Sequence, residues 1–208
     1  MRAQIEKLNE LLSSKKRISI TTHTNPDGDA IGSSFALYHF LIKLNHEVTV
    51  ITPNRHPDFL DWVPGIKNLE IYDEYPDKCK KILSDSDLLF TLDFNDLKRA
   101  SNLSCAIDEF NGKIVMIDHH QNPDGYSDIE ISEPDITSTS EMIYKVVEAN
   151  QLLRSWDNVP RYALAQEITG SRILYGNFAQ GFDIKYPVGL DQNVTSETVN
   201  GQPKSCLL

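Results

Sequence analysis

Ile18-Ser19-Ile20-Thr21-Thr22-His23-Thr24-Asn25-Pro26-Asp27-Gly28-Asp29-Ala30 decides how this chain is read. Its first five residues are largely β-branched and form a short strand pattern. Turn formers and metal-type ligands follow directly. From Ala30 to Leu44 the apolar residues Ile31, Phe35, Leu37, Tyr38, Leu41, Ile42 and Leu44 suit a helix, and Val48-Thr49-Val50-Ile51 is a second strand. Strand, helix and strand in that order make one βαβ unit, expected to be right-handed.

The same alternation extends both ways. Upstream, Ile5, Leu8, Leu11 and Leu12 form a helical stripe within the charged stretch Met1 to Ser14. Downstream come a Pro-, Asn- and Asp-rich loop over 53–65, a short strand over 69–72, a helix over 77–83 and the strand Leu88-Leu89-Phe90-Thr91-Leu92. One helix is predicted over 97–110, stopped by Asn111-Gly112, before the apolar strand Ile114-Val115-Met116-Ile117. Ser138-Thr139-Ser140-Glu141 is a capping box that opens a further helix. The expected fold class is α/β: a doubly wound, mostly parallel sheet flanked by helices over residues 1–150. After Asn150 the rhythm breaks at Asp157-Asn158-Val159-Pro160, Gly170, Gly181, Gly189 and a polar end, so residues 151–208 read as an irregular C-terminal appendage.

The 208 residues are 40% hydrophobic and 24% charged, an ordinary globular balance with enough chain for one ample core. Cys79, Cys105 and Cys206 are far apart, which argues against a zinc knuckle or disulfide framework and fits a reducing, cytoplasmic setting. No run approaches the ~18 apolar residues of a membrane span. The net charge of −10 excludes long duplex DNA held by phosphate neutralisation alone. A short anionic substrate remains open if cations neutralise it. Lys15-Lys16-Arg17 and Lys98-Arg99 read as solvated faces, and His39, His46 and His56 as non-ligands.

In a doubly wound sheet, ligands gather at the carboxyl ends of the strands. Three predicted strand ends carry metal-type ligands here: His23, Asp27 and Asp29 after the first, Asp93 after the fourth, and Asp118-His119-His120 after the fifth. Each group has a bland reading. Asn25-Pro26-Asp27-Gly28 is an ordinary turn, Asp93 a helix cap, and the triplet a surface loop. Their coincidence on one sheet edge is the specific signal. Carboxylates and imidazoles without thiolates suit Mn²⁺, with Mg²⁺, Co²⁺ or Zn²⁺ as lesser options. Pro26 and Gly28 are expected to supply the tight turn that aims Asp27 and Asp29 apart.

The motifs His23-Thr24-Asn25-Pro26-Asp27-Gly28-Asp29, Leu92-Asp93 and Asp118-His119-His120 resemble the DHH phosphoesterase superfamily. The loop ending Trp62-Val63-Pro64-Gly65 and the helix start at Ser138 look like its NrnA-like branch of oligoribonucleases and 3′-phosphoadenosine-5′-phosphate phosphatases. The resemblance implies two Mn²⁺ ions, with Mg²⁺ or Co²⁺ as substitutes. It places His23, Asp27 and Asp93 on one ion and Asp29, Asp93 and His119 on the other, with Asp93 bridging. It also implies catalytic roles: His120 touching the scissile phosphate and Asp118 supporting the histidines. Short oligonucleotides or phosphorylated nucleotides would be hydrolysed by metal-activated water, without a membrane partner, and a homodimer is compatible. Inorganic pyrophosphate hydrolysis and a catalytically silent metal- or nucleotide-binding module are the alternatives. The resembled family adds a fourth metal motif with an Asp, absent from Ile168-Thr169-Gly170-Ser171-Arg172, and a later glycine-rich substrate domain. The expectation is therefore a catalytic half, residues 1–150, joined to truncated or unrelated sequence, with a weakened second ion site and impaired hydrolysis.

Overall fold

The computed structural model describes residues 2–152 and the strand residues 161–169, 172–180, 198–199 and 202–203. The expectations that fall on Asp157-Asn158-Val159-Pro160, Gly170, Ser171, Gly181, Gly189 and Cys206 lie outside the described residues. Strands β1 (Arg17–Thr22), β2 (Glu47–Thr52), β3 (Leu69–Ile71), β4 (Leu88–Leu92), β5 (Lys113–Asp118) and β6 (Ile129–Ser132) form one sheet. Its order is β3-β2-β1-β4-β5-β6, and every pairing is parallel. The helices are α1 (Arg2–Leu11), α2 (Gly28–Lys43), α3 (Pro76–Asp85), α4 (Leu103–Asp108) and α5 (Thr139–Leu152).

Parallel strands need crossovers, and the crossover helices cover both faces. Side chains alternate along β4: Leu88, Phe90 and Leu92 join a core with Ile5 and Leu8 of α1, Phe35 and Leu41 of α2, and Met142 and Val146 of α5. Leu89 points the other way, into a core with Cys79 and Leu83 of α3 and Leu103 and Ile107 of α4. Each fully buried side chain of this size contributes about 1.5–3 kcal/mol over its exposed state. The chain runs from β1 outward to β3, then returns to place β4 on the other flank of β1. The gap between the ends of β1 and β4 is thus the switch point where doubly wound sheets bind ligands.

Two local expectations are corrected, the single helix over 97–110 and its stop at Asn111-Gly112, and two features lie outside what the sequence reading covered. The single helix over 97–110 is instead a 3-10 turn at Leu97–Ala100 and the short α4. Between them Ser101 takes φ 50°, ψ −127°, a left-handed kink that ends the turn. Apolar spacing hid the break, because Ala100, Leu103 and Ile107 are buried on both sides of it. Asn111-Gly112 does not stop this helix, which already ends at Asp108. β6 is an added strand; its apolar signal is only Ile129 and Ile131 at a sheet edge. Ile42 of α2 lies 42% exposed rather than in the core.

By Cα proximity the chain divides into two units, Met1–Arg154 and Ser155–Leu208. The second contains an antiparallel hairpin of β7 (Arg161–Thr169) and β8 (Arg172–Gln180), paired Thr169 to Arg172 at its tip, and the two-residue strands β9 (Thr198–Val199) and β10 (Gln202–Pro203). Among the described residues, no helix is long and apolar enough to cross a membrane.

Candidate metal centre

The register of the central strands brings the distant motifs together. Thr22 lies beside Leu92, and Leu92 beside Ile117. The residues one step beyond this row are His23, Asp93 and Asp118. Adjacent strands are about 4.8 Å apart, so three motifs separated by up to a hundred residues in sequence meet within a few side-chain lengths.

Asp93 sits at the centre. It is 3% exposed and takes φ 66°, an uncommon conformation for a non-glycine residue that turns the chain sharply off β4. Its backbone N–H donates to the Ile117 carbonyl, 3.2 Å away, which pins that turn to β5. His23 Nε2 lies 3.5 Å from Asp93 Oδ2, His119 Nε2 3.5 Å from Oδ1, and His120 Nδ1 4.0 Å from Oδ1. Burial pushes the Asp93 carboxyl pKa up, but contacts with His23 and Thr139 outweigh it and leave it below the usual carboxylate value. The same carboxylate raises the His23 imidazole pKa, against burial and the opposing charge of Arg99.

The Nδ1 of His23 lies 2.8 Å from the Thr24 carbonyl, which can only accept, so Nδ1 carries a proton, and Nε2, the nitrogen that faces Asp93, is the one whose protonation the carboxylate favours. The loop behind it is tied down on two sides. Thr24 N–H donates to the Arg99 carbonyl at 2.8 Å, and Asn25 and Asn54 exchange two hydrogen bonds of 2.7 Å. Asn25, with φ 55°, makes the sharp turn that the sequence assigns to Pro26 and Gly28. Gly28 is simply the first residue of α2, with no positive φ and open space where a Cβ would stand.

Asp27 does double duty. Its Oδ1 caps α2, accepting from the N–H groups of Asp29 and Ala30 at 2.9 and 3.0 Å. A ligand oxygen of Asp27 still lies within 4.8 Å of those of His23 and Asp93. The helix-cap reading and the ligand reading of this aspartate are therefore compatible. Asp29 has a different position. Its two oxygens accept from the N–H groups of Thr139 and Ser140 at the start of α5, both at 2.8 Å, and His119 Nε2 is 3.9 Å from Oδ2.

Asp118, fully buried at the end of β5, gives both oxygens to one residue: Oδ2 accepts from His120 N–H at 3.0 Å and Oδ1 lies 2.7 Å from His120 Nδ1. That grip orients the His120 ring and leaves its other nitrogen free. His119 packs beside it, ring centroids 4.6 Å apart.

Among the described residues, two groups bring ligand atoms within 4.8 Å of one another: His23, Asp27 and Asp93, and Asp93, His119 and His120. Asp93 belongs to both. Carboxylate oxygens and imidazole nitrogens around a shared, buried carboxylate fit divalent cations of the Mn²⁺ or Mg²⁺ kind. Asp29 is in neither group, but each of its oxygens accepts a single hydrogen bond from α5 and keeps a second lone pair, and Oδ2 lies 3.9 Å from His119 Nε2. His39, His46 and His56 lie elsewhere: His39 bonds the Pro64 carbonyl, His46 accepts from Lys16 N–H, and His56 meets Asp61. A cleft of about 500 Å³ lined by Arg17, Ile42, His46 and Asp85 opens where β1 and β2 begin, the edge opposite these ligands.

Sequence reasoning missed two contributors. Thr139, read only as part of a capping box, donates its hydroxyl to Asp93 Oδ1 at 2.9 Å. Asn54 locks the Asn25 turn. Neither carries a local signal, because each acts on a residue many positions away.

Comparison with known proteins places the chain in a family. The chain is 29% identical over 131 residues to the bifunctional oligoribonuclease and PAP phosphatase NrnA of Thermus thermophilus, covering 63% of this chain and 36% of that protein. Its structure is similar to that of an exopolyphosphatase-related protein from Bacteroides fragilis, with TM-score 0.70 and 41% identity over 71% of this chain and 43% of the other. The chain thus spans less than half the length of either relative. The pattern of the DHH family N-terminal domain matches residues 17–170, running past residue 150 into the stretch set apart by composition, and the chain belongs to that family.

Proposed function

We propose that this chain is a two-metal phosphoesterase acting on short oligonucleotides or on 3′-phosphoadenosine 5′-phosphate. One observation carries the reading: a single buried carboxylate, Asp93, is shared by two groups of metal-type ligands at the switch point of the sheet. His23, Asp27 and Asp93 would hold one ion, and Asp93, His119 and Asp29 the other. Divalent ions bound there, Mn²⁺ by preference, would supply Lewis-acid polarisation of the phosphoryl group and a water acidic enough to attack it near neutral pH.

The chain's own residues do the rest. His120, its Nδ1 held 2.7 Å from buried Asp118, would use Nε2 to bond a phosphoryl oxygen or pass a proton to the leaving oxygen. Arg99 is half-buried close to His23 and forms no ion pair among the described residues, so its guanidinium is available to a phosphate. Its neighbour Lys98 is exposed and lies 3.9 Å from Asp96, as a solvated charge would. The similarity to NrnA, a bifunctional oligoribonuclease and PAP phosphatase, favours nucleotide substrates.

A second reading, a silent binding module, is favoured by the contacts that occupy both oxygens of Asp29. Hydrolysis of bis(p-nitrophenyl) phosphate, a dinucleotide and 3′-phosphoadenosine 5′-phosphate, with and without Mn²⁺, separates the two. Metal-dependent turnover abolished by both Asp93→Ala and His120→Ala is the expected result. Mn²⁺ uptake without turnover of any of the three substrates would establish the silent module instead.

A further inference from the structure

We propose that Thr139 is a positioning residue of the metal centre and that α5 is the element that spaces two of its carboxylates, Asp93 and Asp29. The inference rests on the metal centre argued above and deepens it.

Thr139 is fully buried at the first turn of α5. A carboxylate oxygen can only accept, so the Thr139 hydroxyl donates to Asp93 Oδ1, 2.9 Å away. The backbone of the same residue donates to Asp29 Oδ2 at 2.8 Å, and Ser140 N–H to Asp29 Oδ1 at 2.8 Å. One helical turn therefore grips two aspartates that come from the ends of different strands. The grip on Asp29 has a clear physical basis: the first N–H groups of a helix have no intrahelical partner, and a carboxylate there also answers the helix dipole. Ser138 caps the same helix separately, through its Oγ accepting from Glu141 N–H at 3.1 Å. The cap leaves the Thr139 hydroxyl free for Asp93.

The Thr139 contact is also the short one. Histidine nitrogens stand 3.5–4.0 Å from the Asp93 carboxylate, distances that leave room for a cation between them. The hydroxyl at 2.9 Å thus sets the carboxylate plane on a backbone already turned into φ 66°. Without it Asp93 gains rotational freedom that ion binding must then remove. Partners that orient metal ligands commonly change affinity by about 10–100-fold when lost.

The test is Mn²⁺ titration calorimetry on the full chain, comparing wild type with Thr139→Val, Thr139→Ser and Ser138→Ala. Thr139→Val keeps the branched shape and is expected to weaken Mn²⁺ binding by about 10-fold or more, while Thr139→Ser, which keeps the hydroxyl, stays within about 3-fold of wild type. Ser138→Ala removes only the separate cap of α5 and is expected to lower the melting temperature in chelator while weakening Mn²⁺ binding less than Thr139→Val does, which separates loss of the hydroxyl from a loosened helix start. If Thr139→Val does not fold, Thr139→Ala serves in its place. Wild-type affinity in the hydroxyl-less variant overturns the positioning role and leaves the metal centre standing. Failure of the wild type itself to bind Mn²⁺ overturns the metal centre and the positioning role with it.

Discussion

Asp93 and His23 form the titrating core of the site, and their pKa shifts fix how the metal-free protein responds to pH. The Asp93 carboxylate raises His23 above its ordinary 6.5. Burial pushes Asp93 up, and contacts with His23 and Thr139 reverse this to a value below 3.8. A group raised in the fold stabilises fully below its unfolded value and loses that contribution as pH climbs through the folded one; a depressed group stabilises above its unfolded value and loses it as pH falls. The pair thus supports the metal-free fold between 3.8 and 6.5 and fades at higher pH. His46 acts in the opposite sense, since burial, helped by Lys16, lowers its pKa and its protonation costs stability. The useful measurement is therefore a difference. In chelator, the melting-temperature advantage of wild type over Asp93→Asn should shrink between about pH 5.5 and about pH 9. A difference that does not move with pH would show that the two groups are uncoupled. Mn²⁺ affinity should rise over the same range, because His23 must give up its second proton to bind an ion.

At the scale of elements, two glycines with similar sequence contexts have opposite roles. Gly28, inside the motif, starts α2 in an ordinary helical conformation with open space around it. Gly112, in a plain Asn-Gly pair, leaves no room: a Cβ there would stand 2.7 Å from the Asp87 carbonyl and clash with the Phe110 ring. Gly28→Ala should leave the melting temperature near wild type. Gly112→Ala should cost about 1–3 kcal/mol, the usual penalty of overpacking against atoms that cannot yield; urea unfolding of the two variants decides it. The strands β4 and β5 were legible because buried parallel strands are near-continuous apolar runs, and β1 and β2 because they are short segments rich in β-branched residues. The break at Ser101 and the short edge strand β6 were not, since helical spacing survives a two-residue kink and two isoleucines make a weak alternation.

In the molecule as a whole, the candidate ligands reside in one unit. Both donor groups fall within the unit Met1–Arg154, together with the two cores that support the sheet. A fragment of residues 1–154 should unfold cooperatively and bind Mn²⁺ as tightly as the full chain. A loss of affinity on truncation would assign a missing ligand to residues beyond 154. Either form should gain thermal stability from the ion, about 2.7 kcal/mol at a free concentration one hundred times Kd, and lose it on chelation. The ions also answer the charge problem, because an acidic chain of net charge −10 can hold a phosphate only where cations reverse the local field.

The sequence by itself determined the alternation of strands and helices, hence a parallel sheet, and the candidate ligands, because apolar periodicity and residue chemistry are local properties. Tertiary structure alone decided which ligands meet. Strand register set His23, Asp93 and Asp118 one step past a common row, and Asn25 rather than Gly28 made the turn that presents Asp27. Thr139 reached Asp93, and Asp29 turned to the start of α5, through contacts spanning 46 and 110 positions. Hydrogen bonds across such separations depend on how strands and helices are placed side by side, and no window of neighbouring residues encodes that.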